Sequence, residues 1–411
     1  MSLFRNKLYL AVTLGHFTID VFNNMGAVLV TFFSVPMALS AAHIGLAVGT
    51  YQLVGGISQP VFGWLADRIG SRRLGPLSVI WTIGFLVVSV WLAQTTHNFA
   101  LFMLPFSLAA LGSGAFHPQG AMHAATTLSG RAATATAVFF LFGQGGLATG
   151  PALGGFMLDR VGPSGIYGLA ALTIPFLIFM TYAMREASVP PEPATGHKTN
   201  QTFSPQGSIR WGAIGVLALL IGLRSWAFLG TVAFLPKMFQ DMGWDATSYG
   251  LITGIFWLAS GTAGVIAGNL ADQWGRRQVV FTTLLGGSVF LYFLPLNSGW
   301  PAFPLAIISG GLMGASHSII VVIAQAILPG RKAFASGVTL GYMFGVGAAA
   351  AWGVGLLADR WTLTLVIQAG AGIGLLATLL ALMLPATRET SQPQPEGAPV
   401  KNSVKASSSL R

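Results

Sequence analysis

The 411-residue chain contains no cysteine, and only 8% of its residues are charged, where a soluble domain has about a quarter. The missing cysteines exclude disulfides, thiolate chemistry and cysteine metal sites. The sequence also lacks a G-x-x-x-x-G-K-[ST] loop, an H-E-x-x-H or G-x-S-x-G motif, and any pair of aspartates inside an apolar run. These absences argue against an ATP-driven pump and against a membrane-embedded hydrolase or metalloenzyme, so no enzyme activity, cofactor or metal is expected. Hydrophobic residues, in contrast, make up 53% of the chain, a balance that excludes a soluble globular protein. The formal net charge of +10 does not indicate nucleic acid, because the basic residues lie in short segments between apolar runs instead of on a solvated face.

The apolar runs fall near 8–34, 41–66, 74–94, 98–125, 132–158, 164–184, 210–238, 246–271, 277–297, 301–328, 333–357 and 362–385. Each is long enough to cross a bilayer as a helix, which predicts an all-α membrane protein of twelve spans. The first run follows a short basic start, continues past Asp20 and has no small-residue cleavage site behind it. It therefore reads as a span, with no cleaved signal peptide expected. With the N-terminus placed inside, seventeen of the 21 Lys and Arg residues fall in inside segments, so both termini are expected on the cytoplasmic side. Only Arg160, Lys237 and Arg360 fall outside, and Arg224 lies within a span. The segment 185–209 and the tail 386–411 are polar and rich in Pro, Ser or Thr. They read as a cytoplasmic linker and a flexible tail, bounding six-helix halves at 1–184 and 210–385.

The two halves are copies of each other. Gly63-Trp64-Leu65-Ala66-Asp67-Arg68-Ile69-Gly70-Ser71-Arg72-Arg73 is answered by Gly268-Asn269-Leu270-Ala271-Asp272-Gln273-Trp274-Gly275-Arg276-Arg277. His117 answers His317, Gly130-Arg131 answers Gly330-Arg331, and Asp159-Arg160 answers Asp359-Arg360. Asp20 and Arg224, of opposite sign, hold nearly equivalent places in the first helix of each half. Two repeats related by an axis along the membrane normal put the working site at their interface, near mid-membrane.

The G-x-x-x-D-R-x-G-x-R-R motif at Gly63, Asp67, Arg68, Gly70, Arg72 and Arg73, repeated at Asp272, Gly275, Arg276 and Arg277, resembles the gating loop of the major facilitator superfamily. The resemblance covers almost the whole chain apart from the linker and tail. It implies two six-helix repeats and rocker-switch alternating access. Physically, a carboxylate at that helix end can cap a neighbouring helix or pair with loop arginines, while glycines permit a tight turn. The plainer alternative is that Asp67 and Arg68 are interfacial anchors. Gly146, Gly150, Pro151, Gly154 and Gly155 look like the fifth-helix motif of the superfamily's antiporters, which implies export. The alternative is close helix packing by small residues, with no bearing on direction.

Within the superfamily three segments resemble the fosmidomycin-resistance group: Gly15-His16-Phe17-Thr18-Ile19-Asp20, Gly114-Ala115-Phe116-His117-Pro118, and Gln325-Ala326-Ile327-Leu328-Pro329-Gly330-Arg331. Gln119 and Ala326 stand where that group has glutamates. The resemblance implies a drug/proton antiporter acting as a monomer in a bacterial inner membrane.

Ionisable side chains inside a span are costly and usually belong to a pathway. Asp20 is the only carboxylate well inside one, and His16, Asn23 and Asn24 continue its helix face, so the stripe reads as cavity-lining with Asp20 and His16 as proton-coupling candidates. The structural alternative is an aspartate that pairs the first helix of one half to that of the other. Arg224 keeps its charge and requires an anionic partner, either Asp20 or a substrate phosphate, phosphonate or carboxylate. The expected scheme has substrate and Asp20 competing for Arg224. His117 and His317 are further binding candidates, as are Gln52, Gln325, Phe116 and Trp226, although glutamines in spans serve equally as helix-to-helix bonds. The function expected is secondary active export of a small anionic or amphiphilic compound coupled to protons. The alternative is an importer or facilitator of a metabolite on the same fold.

Overall fold

The computed structural model describes residues 3–127, 132–186, 211–327 and 332–384. The expected linker and tail lie outside the described residues, apart from the linker's first two positions. Among the described residues there are twelve long helices: α1 Lys7–Ser34, α2 Ala41–Ile69, α3 Ser71–Thr96, α4 Phe99–Thr126, α5 Ala132–Arg160 and α6 Ser164–Ala183 in the first repeat. The second contains α7 Trp211–Asp241, α8 Ala246–Trp274, α9 Arg276–Phe293, α10 Ala302–Ile327, α11 Lys332–Ala358 and α12 Leu363–Ala381. Eleven of these have the length and apolar character of a membrane span. The exception, α2, carries Gln52, Gln59, Asp67 and Arg68 along its 29 residues.

Two helices are broken. In α1 the helix stops at Asn24 and restarts at Gly26 around Met25, directly after the polar stripe. In α6 it stops at Leu172 and restarts at Ile174, where Pro175 removes a backbone donor. Apolar periodicity runs through both breaks, and only Pro175 marks one of them in the sequence.

Packing repeats with the sequence. The first repeat joins α1 to α5, α2 to α4 and α3 to α4, and the second joins α7 to α11, α8 to α10 and α9 to α10. The repeats meet through α5 against α8 and α2 against α11. Those two seams are built from glycine facing backbone. A Cβ on Gly250 would meet Pro151 O, and one on Gly45 would meet Ala351 O. Gly155 faces Ala246 O, as Gly355 faces Ala41 O.

These contacts gather on the face remote from the termini. Asp359, at the end of α11, accepts hydrogen bonds from the backbone N–H of Ala41 (2.7 Å) and Ala42 (3.2 Å) at the start of α2. Its repeat counterpart Asp159 accepts one from the Thr247 hydroxyl in the first turn of α8, at 2.7 Å. Across the same face Gln240 Nε2 donates to Thr31 O at 3.0 Å. Toward the termini the seams part: Gly264 and Gly268 of α8 and Gly337, Gly341 and Gly345 of α11 have nothing within 4 Å of where a Cβ would stand. The two seams are therefore closed on the remote face, and beside these glycines of α8 and α11 they leave open space toward the face that carries the termini.

Candidate functional site

The polar stripe of α1 closes on its own repeat. Asp20, 5% exposed, holds Oδ2 3.2 Å from His16 Nε2 and Oδ1 3.4 Å from His117 Nε2. Each histidine has its other ring nitrogen on a backbone carbonyl, His16 Nδ1 on Phe139 O and His117 Nδ1 on Ser113 O, both at 2.8 Å. A carbonyl accepts only, so both Nδ1 atoms are donors and both Nε2 atoms face the carboxylate. A proton on either Nε2 makes that contact a charge-assisted hydrogen bond. Asn23 Nδ2 donates to Asp20 Oδ1 (3.1 Å) and Ser113 Oγ (2.8 Å), and Tyr51 OH donates to Asn23 Oδ1 at 2.5 Å. Asn24 Nδ2 donates to Leu147 O on α5, beside the break in α1. The cluster thus joins α1, α2, α4 and α5. Among the described residues, His16, Asp20 and His117 are also the three whose donor atoms, all within 4.8 Å of one another, have the spacing for a metal ion.

Glycine makes this burial possible. A Cβ at Gly143 would enter the His16 ring, one at Gly146 would meet Phe17 O and stand 2.9 Å from Asp20 Cβ, and one at Gly150 would meet Val21 O. The antiporter-like motif is therefore two-sided: Gly146, Gly150 and Gly154 receive α1, while Gly155 and the Pro151 carbonyl meet α8.

Arg224 lies in a second cluster, on α7. It is 1% exposed, its Nε donates to Ser316 Oγ (3.2 Å) and its Nη2 to Met313 O (2.9 Å), both on α10. The guanidinium carbon stands 4.6 Å from the centroid of the Phe228 ring, and Nη1 is buried without a hydrogen-bond partner. His317 follows Ser316 on the same helix. The expected Asp20–Arg224 pair is not formed: the carboxylate is held by two histidines of its own repeat, and the arginine by α10 of the other.

Other expected residues divide. Gln52 has a buried Oε1 without a partner, which leaves it an unused acceptor. Gln325 is partly exposed on α10 and has an interaction partner. Phe116 and Trp226, expected to line the cavity, both pack against glycines. Phe116 is 1% exposed, with its ring against Gly15 and Gly120, and Trp226 packs its ring on Gly353. Gln119, where the resembled group has a glutamate, turns back to donate to Ala115 O at 3.0 Å.

At the gating motif, Gly70 (φ 78°) and Gly275 (φ 98°) occupy the left-handed region that links α2 to α3 and α8 to α9, a backbone conformation that favours glycine. Gly63 approaches Pro118 of α4. Arg68 stacks on Trp64 at 3.9 Å, Arg72, Arg73 and Asp272 are exposed, and Arg276 and Arg277 are partly buried. The Asp67 side chain, with Arg131 and Arg331, lies outside the described residues. Sequence reasoning missed Ser113, Phe139, Gly143, Ser316 and Met313, and gave no role to Asp159 and Asp359. The repeat of that aspartate pair was the one available signal.

Comparison with known proteins agrees with this architecture. The chain is 26% identical over 381 residues to the fosmidomycin resistance protein of Escherichia coli strain K12, covering 92% of each. It is 27% identical over 282 residues to the class B tetracycline resistance protein of Escherichia coli, covering 66% of this chain and 68% of that one. In fold it is similar to a bacterial homologue of the human lysosomal transporter Spinster, solved in an inward-facing, occupied conformation, with a TM-score of 0.75 at 14% identity over 93% of this chain and 97% of that one. The Major Facilitator Superfamily profile matches residues 10–245 and 214–411. A multi-pass helical membrane protein with two six-helix repeats and this match belongs to the Major Facilitator Superfamily, a family of transporters of small molecules and not of enzymes.

Proposed function

We propose that the chain is a proton-coupled exporter of a small anionic or amphiphilic compound of the fosmidomycin type. It works as a monomer in a bacterial inner membrane with both termini cytoplasmic. The observation that carries this reading is Arg224, a buried guanidinium with a free Nη1 and no carboxylate bonded to it among the described residues. An arginine remains charged, and a buried charge requires an opposite one, so an anionic group is the partner that this site lacks. A phosphonate or carboxylate would take Nη1, with Phe228 supplying an apolar wall.

The His16–Asp20–His117 cluster is the proton site in this reading, and it lies in the other repeat. Coupling then runs through the relative movement of the halves, 1–184 and 210–385, and not through direct exchange between Asp20 and Arg224. The names of the two resistance proteins support export of a drug-like compound, and the glycine seams on both sides of Pro151 supply surfaces that can rock. The test is flux into and out of proteoliposomes under an imposed pH gradient, with a fosmidomycin-like phosphonate beside a neutral drug. Phosphonate movement against the proton gradient supports the exporter. Equal movement of both compounds with no response to pH contradicts it.

A further inference from the structure

The seam between α3 and α6 lies on the outside of the first repeat, away from α5 and α2, which meet the second repeat. It holds an apolar groove of about 470 Å³ lined by Ile80 of α3 and Ile174, Leu177, Ile178 and Tyr182 of α6, with Arg185 at one end. Ile178 is 67% exposed and Ile174 53%, and α6 breaks at Thr173, next to Ile174. The arginine is not the only cation there. Lys7 Nζ stands 5.7 Å from the centroid of the Tyr182 ring. Arg73, in the first turn of α3, is exposed and shares a helix face with Leu77 and Ile80 at i+4 and i+7. Because α3 begins and α6 ends on the face that carries the termini, all three cations collect at the same end of the seam.

The dimensions specify the occupant. Arg73 precedes Ile80 by two turns, about 10 Å of helix rise, which is within one leaflet of a hydrocarbon core about 30 Å thick. A cationic rim with an apolar slot at that depth matches a phosphate head group with an acyl chain below it, and basic sites between spans favour anionic head groups. We propose that this groove is a binding site for an anionic phospholipid, with the phosphate between Arg73, Arg185 and Lys7 and one acyl chain along Ile80, Ile174 and Ile178. None of its residues belongs to the Asp20 or Arg224 clusters, and Arg73 is shared with the gating motif.

The experiment is native mass spectrometry of the full chain in detergent, titrated with phosphatidylglycerol or phosphatidylcholine of identical acyl chains. The expected result is retention of phosphatidylglycerol about tenfold above phosphatidylcholine. That preference should fall to parity in Arg73→Gln/Arg185→Gln. Ile178→Trp, which fills the groove and leaves the cations in place, should lower retention of phosphatidylglycerol several-fold without changing the melting temperature in lipid-free detergent. Equal retention of both lipids by the unaltered chain overturns the proposal, as does a preference that survives the double substitution. Displacement of the lipid by glycerol phosphate at equal concentration would show a free-anion site and overturn it as well.

Discussion

Asp359 and Ala41 stand at opposite ends of the sequence, yet the Asp359 carboxylate accepts the first free N–H of α2 at 2.7 Å. The bond closes the remote face of the cleft, and Asp159 on Thr247 repeats it across the pseudo-axis. Capping a helix start is worth about 1 kcal/mol, or about fivefold in an equilibrium. Asp359→Ala, which removes the capping oxygens, should therefore shift the protein toward the state in which this face opens. The chain has no cysteine, so a single Ala348→Cys, now against Gly49, reports directly. Its labelling by a hydrophilic maleimide should rise about fivefold in Asp359→Ala, and unchanged labelling would remove the latch.

The glycines of α5 differ in what they hold apart. A Cβ at Gly150 would meet Val21 O and stand 3.0 Å from the carbonyl carbon, so Gly150→Ala should cost about 1–3 kcal/mol through overpacking and lower the melting temperature in detergent. Gly84 in α3 has nothing within 4 Å, and Gly84→Ala should leave the melting temperature unchanged or raised. Equal melting of both variants would contradict the assignment of the α1–α5 seam.

Asp20→Asn and His117→Gln break the cluster that would carry protons. Hypothesis: either change lowers accumulation driven by a pH gradient at least about tenfold and leaves substrate exchange at equal pH within about threefold. Gradient-driven accumulation at the full rate in Asp20→Asn would sink the proton role of the cluster. Loss of exchange as well would point to a purely structural aspartate.

Much of this was legible from residue types. The twelve helices follow from apolar length, and their ends agree within a few residues, as for α5, expected over 132–158 and found at Ala132–Arg160. The α1 stripe was legible because His16, Asp20 and Asn23 share a helix face. Its partners were not, because His117 reaches Asp20 only through the close approach of α1 to α4 and α5, which glycines permit and no periodicity encodes. The same limit explains the misplaced Asp20–Arg224 pair: repeat equivalence sets depth in the membrane, while each cluster is closed by neighbours of its own half.

Arg224 uses its fork, with Nε on Ser316 and Nη2 on Met313 O, a geometry that a lysine ammonium cannot reproduce. Arg224→Lys should keep the charge yet lower transport of the anion about tenfold, and Ser316→Ala, which removes one neutral partner, about fivefold. Full transport in Arg224→Lys would reduce the site to a point charge.

The most direct measurement is proton-driven flux of a fosmidomycin-like phosphonate in proteoliposomes containing either the unaltered chain or Arg224→Ala, with a neutral drug as control. An anion-specific, gradient-dependent flux that vanishes in Arg224→Ala is the expected result. Flux that persists without Arg224, or that carries the neutral drug equally well, would contradict the assignment of Arg224 as the anion site.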